Sequence, residues 1–116
     1  MSTHAMIDIE TLGTMPNSVI LSVGAVKFDP FKSDEPHDGR HWKIDVDAQT
    51  SKGRFVDEKT LAWWSKQEKD IQDRAFSDHG RIPVEPFMQE LNAWLTGCEQ
   101  IWCQGPQFDM VILEDF

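Results

Sequence analysis

Hydrophobic and polar positions change period several times along this chain, and each change marks an element. The first segment, Met6-Ile7-Asp8-Ile9-Glu10-Thr11-Leu12-Gly13, alternates. It reads as a short strand with Ile7 and Ile9 on one face and Asp8 and Glu10 on the other. Turn residues follow from Gly13 to Asn17. Ser18 to Phe28 is a β-branched and apolar run, as expected of a well-buried strand. Gly24 inside it predicts a bulge or a close backbone approach. Asp29 to Gly39 reads as a loop. His41 to Asp47 alternates again and predicts a third, half-exposed strand. Three strands with short connections make an antiparallel meander.

The period then lengthens to that of helices. Asp57-Glu58-Lys59-Thr60 opens a helix through Lys66, with acids where the helix dipole favours them. Leu61 and Trp64 fall at helical spacing. A second short helix covers Asp70 to Phe76, and Ser77 to Pro83 ends it. Val84 to Leu95 carries Phe87, Met88, Leu91, Trp94 and Leu95 on one broad stripe, with Gly97 placed to stop it. Gln100 to Gln104 predicts a strand. After Gly105-Pro106, Gln107 to Phe116 predicts an apolar helix packed on a sheet face. Ending inside such a helix is unusual for a complete domain, so the expectation is a single domain, residues 1–116, lacking its C-terminal part. No internal repeat or low-complexity tract interrupts the pattern.

Composition narrows the function more than the fold. The chain is 40% hydrophobic and 10% aromatic, which argues for a globular domain and against disorder. No apolar run is long enough to span a bilayer, and no basic-then-apolar leader opens the chain, so a cytoplasmic protein is expected. Cys98 and Cys103 lack metal-ligand spacing and read as reduced thiols. The net charge of −9 argues against a protein that coats nucleic acid, whose footprint is basic. It leaves room for an enzyme acting on a strand end, because bound cations reverse the local field. An acidic protein that binds basic partners also fits.

The chemistry starts from Asp8 and Glu10. Two carboxylates side by side on one strand face repel unless a cation or a proton lies between them. Hard divalent ions take carboxylate oxygens. Solvated charges on an edge strand are the plain alternative. Asp109 is a third acid, in the first turn of the last helix, just after the Gln100 strand. A right-handed crossover lays that strand parallel in the sheet. Beside the first strand, its end would bring Asp109 towards Asp8 and Glu10; a dipole-favoured first-turn Asp is again the plain alternative.

Asp8-x-Glu10-Thr11 followed by Phe108-Asp109 resembles the first two motifs of the DEDD superfamily of 3′–5′ exonucleases. Trp63-Trp64-x-x-Gln67 and Trp102-Cys103-x-Gly105-x-x-Phe108-Asp109 resemble its phage exonuclease A-type branch. The resemblance implies a ribonuclease-H-like fold, an α/β mixed sheet with a three-strand antiparallel meander, a parallel strand after a helical crossover, and flanking helices. Gly105 stands where proofreading relatives carry Asn, as in the phage-type branch. The third motif, a His or Tyr followed by the fourth Asp, is absent. Glu114 and Asp115 are poor substitutes, since neither shares Asp109's helix face.

By the family's pattern, two Mg²⁺ or Mn²⁺ ions about 4 Å apart clamp the terminal phosphodiester. Asp8 would bridge both ions, Glu10 would help bind the first, and Asp109 would serve the second. Thr11 and Leu12 would meet the last nucleotide by backbone contacts and an apolar wedge, with Phe108 beside its base or sugar. The substrate implied is the 3′ end of single-stranded DNA or RNA. Without the third motif, this form is expected to be inactive. Two other functions remain: a catalytically dead module that binds nucleic-acid ends, and an acidic partner-binding protein.

Adjacent residues on a helix point about 100° apart, so Trp63 and Trp64 do not share a role. Trp64, with Leu61, is expected in the core, and Trp63 is the candidate stacking platform. Trp42, Trp94 and Trp102 read as core or sheet packing. His4 reads as structural, and His37, His41 and His79 show no spacing that marks a site.

Overall fold

The computed structural model describes residues 3–31, 35–77, 79–103 and 106–116, with the side chains of 106–110 outside the description. Among the described residues, its centre is a sheet of five strands: β1 (His4–Thr11), β2 (Ile20–Phe28), β3 (His37–Ile44), β4 (Arg81–Ile82) and β5 (Gln100–Trp102). The spatial order is β4-β3-β2-β1-β5. β1, β2 and β3 form the expected antiparallel meander. β5 returns parallel to β1, with Met6 opposite Trp102.

The apolar half of each alternating strand faces two helices, α4 (Val84–Leu95) and α5 (Pro106–Asp115). Ile7, Val23 and Ile44 from the sheet are fully buried against Phe87 and Ile112 from these helices. Trp42 meets Phe87 and Trp94 edge-on, at ring separations of 5.6 and 6.2 Å. The helix stripe from Phe87 to Trp94 thus covers the sheet as its spacing predicts. Gly97 takes a φ of +87° just past α4, a conformation that costs glycine little. Cys98 and Cys103 are half-buried thiols that form no disulfide. Among the described residues, no helix is long and apolar enough to cross a membrane.

Helices α2 (Glu58–Ser65) and α3 (Lys69–Phe76) lie beside the end of β1. There Leu12, Val19, Leu21, Trp64 and Ala75 form a second cluster. Trp64 anchors it, buried and donating its indole N–H to the Thr11 carbonyl at 3.0 Å. Leu61 does not join: it is 39% exposed, because Trp64 is the residue that α2 buries.

The third strand is shifted from its expected range. It begins at His37 and stops at Ile44, because Asp45 is the N-cap of a further helix, α1 (Val46–Ser51), and accepts a bond from the Ala48 N–H at 3.2 Å. This helix has no apolar stripe. Its inward residue is Gln49, which accepts from the Ile20 N–H and donates to the Ile20 carbonyl, both at 2.8 Å. A polar side chain there takes the place of a neighbouring strand, satisfying buried backbone groups that otherwise carry a desolvation cost. β4 is two residues long, too short to leave a periodic signal. Gly24 lies in unbroken ladder, not at a bulge; the register shifts fall at Glu10/Thr11 and Ala25/Lys27. Of the core or sheet packing expected of Trp102, the structure shows the second: it is 47% exposed on the edge strand β5, and its ring stacks on His4 of the neighbouring strand.

Candidate nuclease site

Burial along β1 follows the alternation. Ile7 and Ile9 are buried on the core face, and Asp8 and Glu10 are exposed on the other. β1 is paired by β2 along its length and by β5 only over His4–Met6, so the backbone carrying the two acids is tied to the sheet through its β2 side. Positions two apart on a strand lie about 6.7 Å from each other. The carboxylates are therefore held near one another by the pleat, without any contact between them.

Cross-strand register extends the pair into two rows. Asp8 stands opposite Gly24, which stands opposite His41; Glu10 stands opposite Ser22, which stands opposite Lys43. Directly opposed residues share a face, so all six positions lie on the acids' side of the sheet. The Ser22 hydroxyl donates to Glu10 Oε2 at 3.2 Å. A Cβ added at Gly24 would meet His41 and the Asp8 carbonyl only at 3.9 and 4.0 Å, ordinary contact distances. What glycine provides is an open floor between Asp8 and His41, a hollow of about 480 Å³ that both residues line.

The donor set suits a hard divalent cation. Among the described residues, Asp8 has no ion-pair or hydrogen-bond partner, and Glu10 has only the Ser22 hydroxyl. Among the described residues, too, no group of three His, Cys, Asp or Glu converges. Asp109 sits in the first half of α5, directly after the strand that pairs with β1. Its side chain, like that of Phe108, lies outside the described residues. Asp115 is engaged elsewhere, with Arg54 at 3.1 Å. His4 is buried, and its Nδ1 accepts the Trp102 indole N–H at 2.8 Å, so it serves packing at the strand start.

Beside Glu10, a pocket of about 600 Å³ opens between the end of β1 and α2, lined by Thr11, Gly13, Thr60, Trp63 and Trp64. Trp63 is 55% exposed and meets Trp64 edge-on at 4.9 Å. One tryptophan is thus buried and its neighbour open to solvent, as their offset around the helix requires. Thr11 is buried, with its hydroxyl on the Gly13 carbonyl at 2.6 Å. Leu12 is buried in the second cluster, and its N–H and carbonyl bond Val19 and Asp57. It stands behind the pocket wall. Gly13 is required where the loop folds back, since a Cβ would fall 2.5 Å from the Ser18 hydroxyl.

Sequence spacing did not single out Ser22, His41 or Lys43. Strand alternation puts Ser22 and Gly24 on one face of β2, but only the pairing register says that this face carries Asp8 and Glu10.

Solved structures share this fold. The chain is similar to E. coli exonuclease I in complex with a dT13 oligonucleotide, at 15% identity and a TM-score of 0.67. The zinc-bound form of the E. coli exonuclease I–single-stranded DNA complex matches equally, and a product-bound exonuclease I matches at 17% identity and a TM-score of 0.59. Each match covers 97% of this chain, but only 22%, 22% and 24% of the respective structures. At that identity the likeness is one of fold, a ribonuclease-H-like sheet with flanking helices. No curated protein matches the chain. Residues 3–116 match the model of the 3′–5′ exoribonuclease Rv2179c-like domain, and the chain belongs to that family.

Proposed function

We propose that this domain is the metal-binding part of a 3′–5′ exonuclease that removes nucleotides from single-stranded 3′ ends by two-metal-ion phosphodiester hydrolysis. The observation that carries the reading is the placement of Asp8 and Glu10, exposed on the inner strand β1 with a tryptophan-walled pocket beside Glu10. Asp8, Glu10 and Asp109 would hold Mg²⁺ or Mn²⁺. When bound, such ions supply an activated water and neutralise charge on the phosphodiester. Glu10 is oriented by Ser22, and Asp8 is left open over Gly24.

Trp63 stacks on the terminal base, and Thr11 lines the floor beneath it. Leu12 supports that floor from the cluster behind, and Phe108 completes the contact with the base or sugar. The family's description names RNA, and the exonuclease I structures hold single-stranded DNA, so both are candidate substrates.

The decisive experiment measures Mn²⁺ binding and mononucleotide release from 3′-labelled single-stranded DNA and RNA. It compares the chain, and a longer form carrying a third motif, with Asp8→Ala versions of each. The reading expects Mn²⁺ binding that Asp8→Ala abolishes, and release by the longer form alone. Metal-dependent end binding without release from either form supports the non-catalytic module. Mn²⁺ binding or release untouched by Asp8→Ala overturns the assignment.

A further inference from the structure

Arg54 lies between two parts of the chain that border the proposed site. It follows α1 in sequence, and its side chain is only 14% exposed. On one side its Nε and Nη2 donate to the Ser18 carbonyl at 3.1 and 2.9 Å. On the other its Nη1 donates to Asp115 Oδ2 at 3.1 Å and to the Asp115 carbonyl at 3.3 Å. Its guanidinium carbon also lies 4.9 Å from the centre of the Phe116 ring, which in turn meets Phe87 edge-on.

Both attachments lead to the site. Ser18 closes the loop that follows β1: its hydroxyl accepts from the Met15 N–H at 3.0 Å, and Gly13 and Thr14 of the same loop line the Trp63 pocket. Asp115 is the last residue of α5, the helix that carries Asp109. α5 is packed on the sheet through Ile112 and Leu113, in one cluster with Ala5, Ile7 and Ile9 of β1. Apolar contacts hold a helix down but have no direction, so by themselves they leave its slide and rotation loosely set. A guanidinium fork on a carbonyl and a carboxylate is directional. It also places a cation at the C-terminal end of α5, where the helix dipole favours one.

We infer that Arg54 is a positioning residue for the metal site: by tying α5 to the loop after β1, it sets where Asp109 stands relative to Asp8 and Glu10. The inference rests on the exonuclease reading, in which those three acids hold the ions, and adds how the ligand on the helix is kept in register with the pair on the strand. Ligands serve a metal only when held within about 0.5 Å of a productive geometry, and Arg54 supplies that restraint from outside the site.

The test titrates Mn²⁺ into Arg54→Lys, Arg54→Gln and Asp115→Ala proteins, each with and without Asp109→Asn, beside thermal melts in the absence of metal. Arg54→Lys keeps the charge but loses the fork, and should weaken Mn²⁺ binding by about threefold or more. Asp115→Ala cuts only the α5 arm, at a carboxylate that is 45% exposed, and should weaken binding in the same direction with little change in melting temperature. Neither change should have an effect in the Asp109→Asn background, because it acts through that residue. Loss of a positive charge alone would tighten cation binding, whereas loss of positioning makes Arg54→Gln weaken it. Lys52→Gln, at an exposed residue two positions away, should not weaken it. Variants that melt earlier yet bind Mn²⁺ normally overturn the inference, as does equal weakening with and without Asp109→Asn. An Asp109→Asn change that by itself leaves Mn²⁺ binding intact removes the metal role of Asp109, and the inference falls with that part of the exonuclease reading.

Discussion

The hydroxyl of Ser22 lies 3.2 Å from Glu10 Oε2, a contact across two strands between a buried residue and an exposed acid. It restricts the rotamers of Glu10, so that one metal-ligand candidate is oriented before any ion arrives. Partners of this kind commonly change metal affinity by about tenfold or more. Ser22→Ala should weaken Mn²⁺ binding by about that factor without lowering the melting temperature appreciably. Ser22→Thr, which keeps the hydroxyl, should recover part of the affinity. Titration of Mn²⁺ against both variants reads the effect; identical affinities would show that Glu10 needs no support from β2.

Adjacent tryptophans give opposite results when removed. Trp64 is buried and hydrogen-bonded to Thr11, so Trp64→Ala should cost about 3–5 kcal/mol of stability. Trp63 is more than half exposed, so Trp63→Ala should leave stability nearly intact. It should instead cost about 1–3 kcal/mol in binding a single-stranded 3′ end, the range for base stacking on an aromatic ring. Thermal melts together with oligonucleotide titrations separate the two. A Trp63→Ala protein that binds strands normally would remove the stacking role.

Acid sensitivity has a defined source at Asp38, which the chain holds at φ +49°. Its carboxylate lies 3.2 Å from Lys27 Nζ and 2.6 Å from Arg40. The hydrogen bond from Lys27 is the largest influence and, with Arg40, outweighs an opposing effect of desolvation, so the pKa falls below its ordinary 3.8. A carboxyl with a depressed folded pKa stabilises above the unfolded value and loses that contribution as pH falls through the folded one. Asp38→Asn keeps a residue that tolerates positive φ. Its melting temperature should lie slightly below the wild type at neutral pH, and the gap should close below pH 3.8. A gap that persists in acid would point to backbone fit, not charge.

Much of the fold was legible because periodicity is a local property. The alternation of β1, the run of β2 and the stripe of Val84 to Leu95 each encode which side must leave water, and the observed core is built from those sides. The elements that the sequence did not reveal are those without an apolar face. Helix α1 docks through Gln49, whose hydrogen bonds to Ile20 reach a segment 29 residues away. Trp102 and Leu61 have core composition but stand at an edge strand and on the outer side of α2, and hydrophobicity alone does not distinguish such places.

For the site, the sequence by itself determined that Asp8 and Glu10 share a face and that Trp63 and Trp64 diverge. Both follow from the geometry of one strand or one helix turn. Only the tertiary structure decided that Ser22, Gly24, His41 and Lys43 stand beside those acids, because register between strands is set by packing and turn geometry across many residues. A one-residue slip would send every one of those side chains to the opposite face.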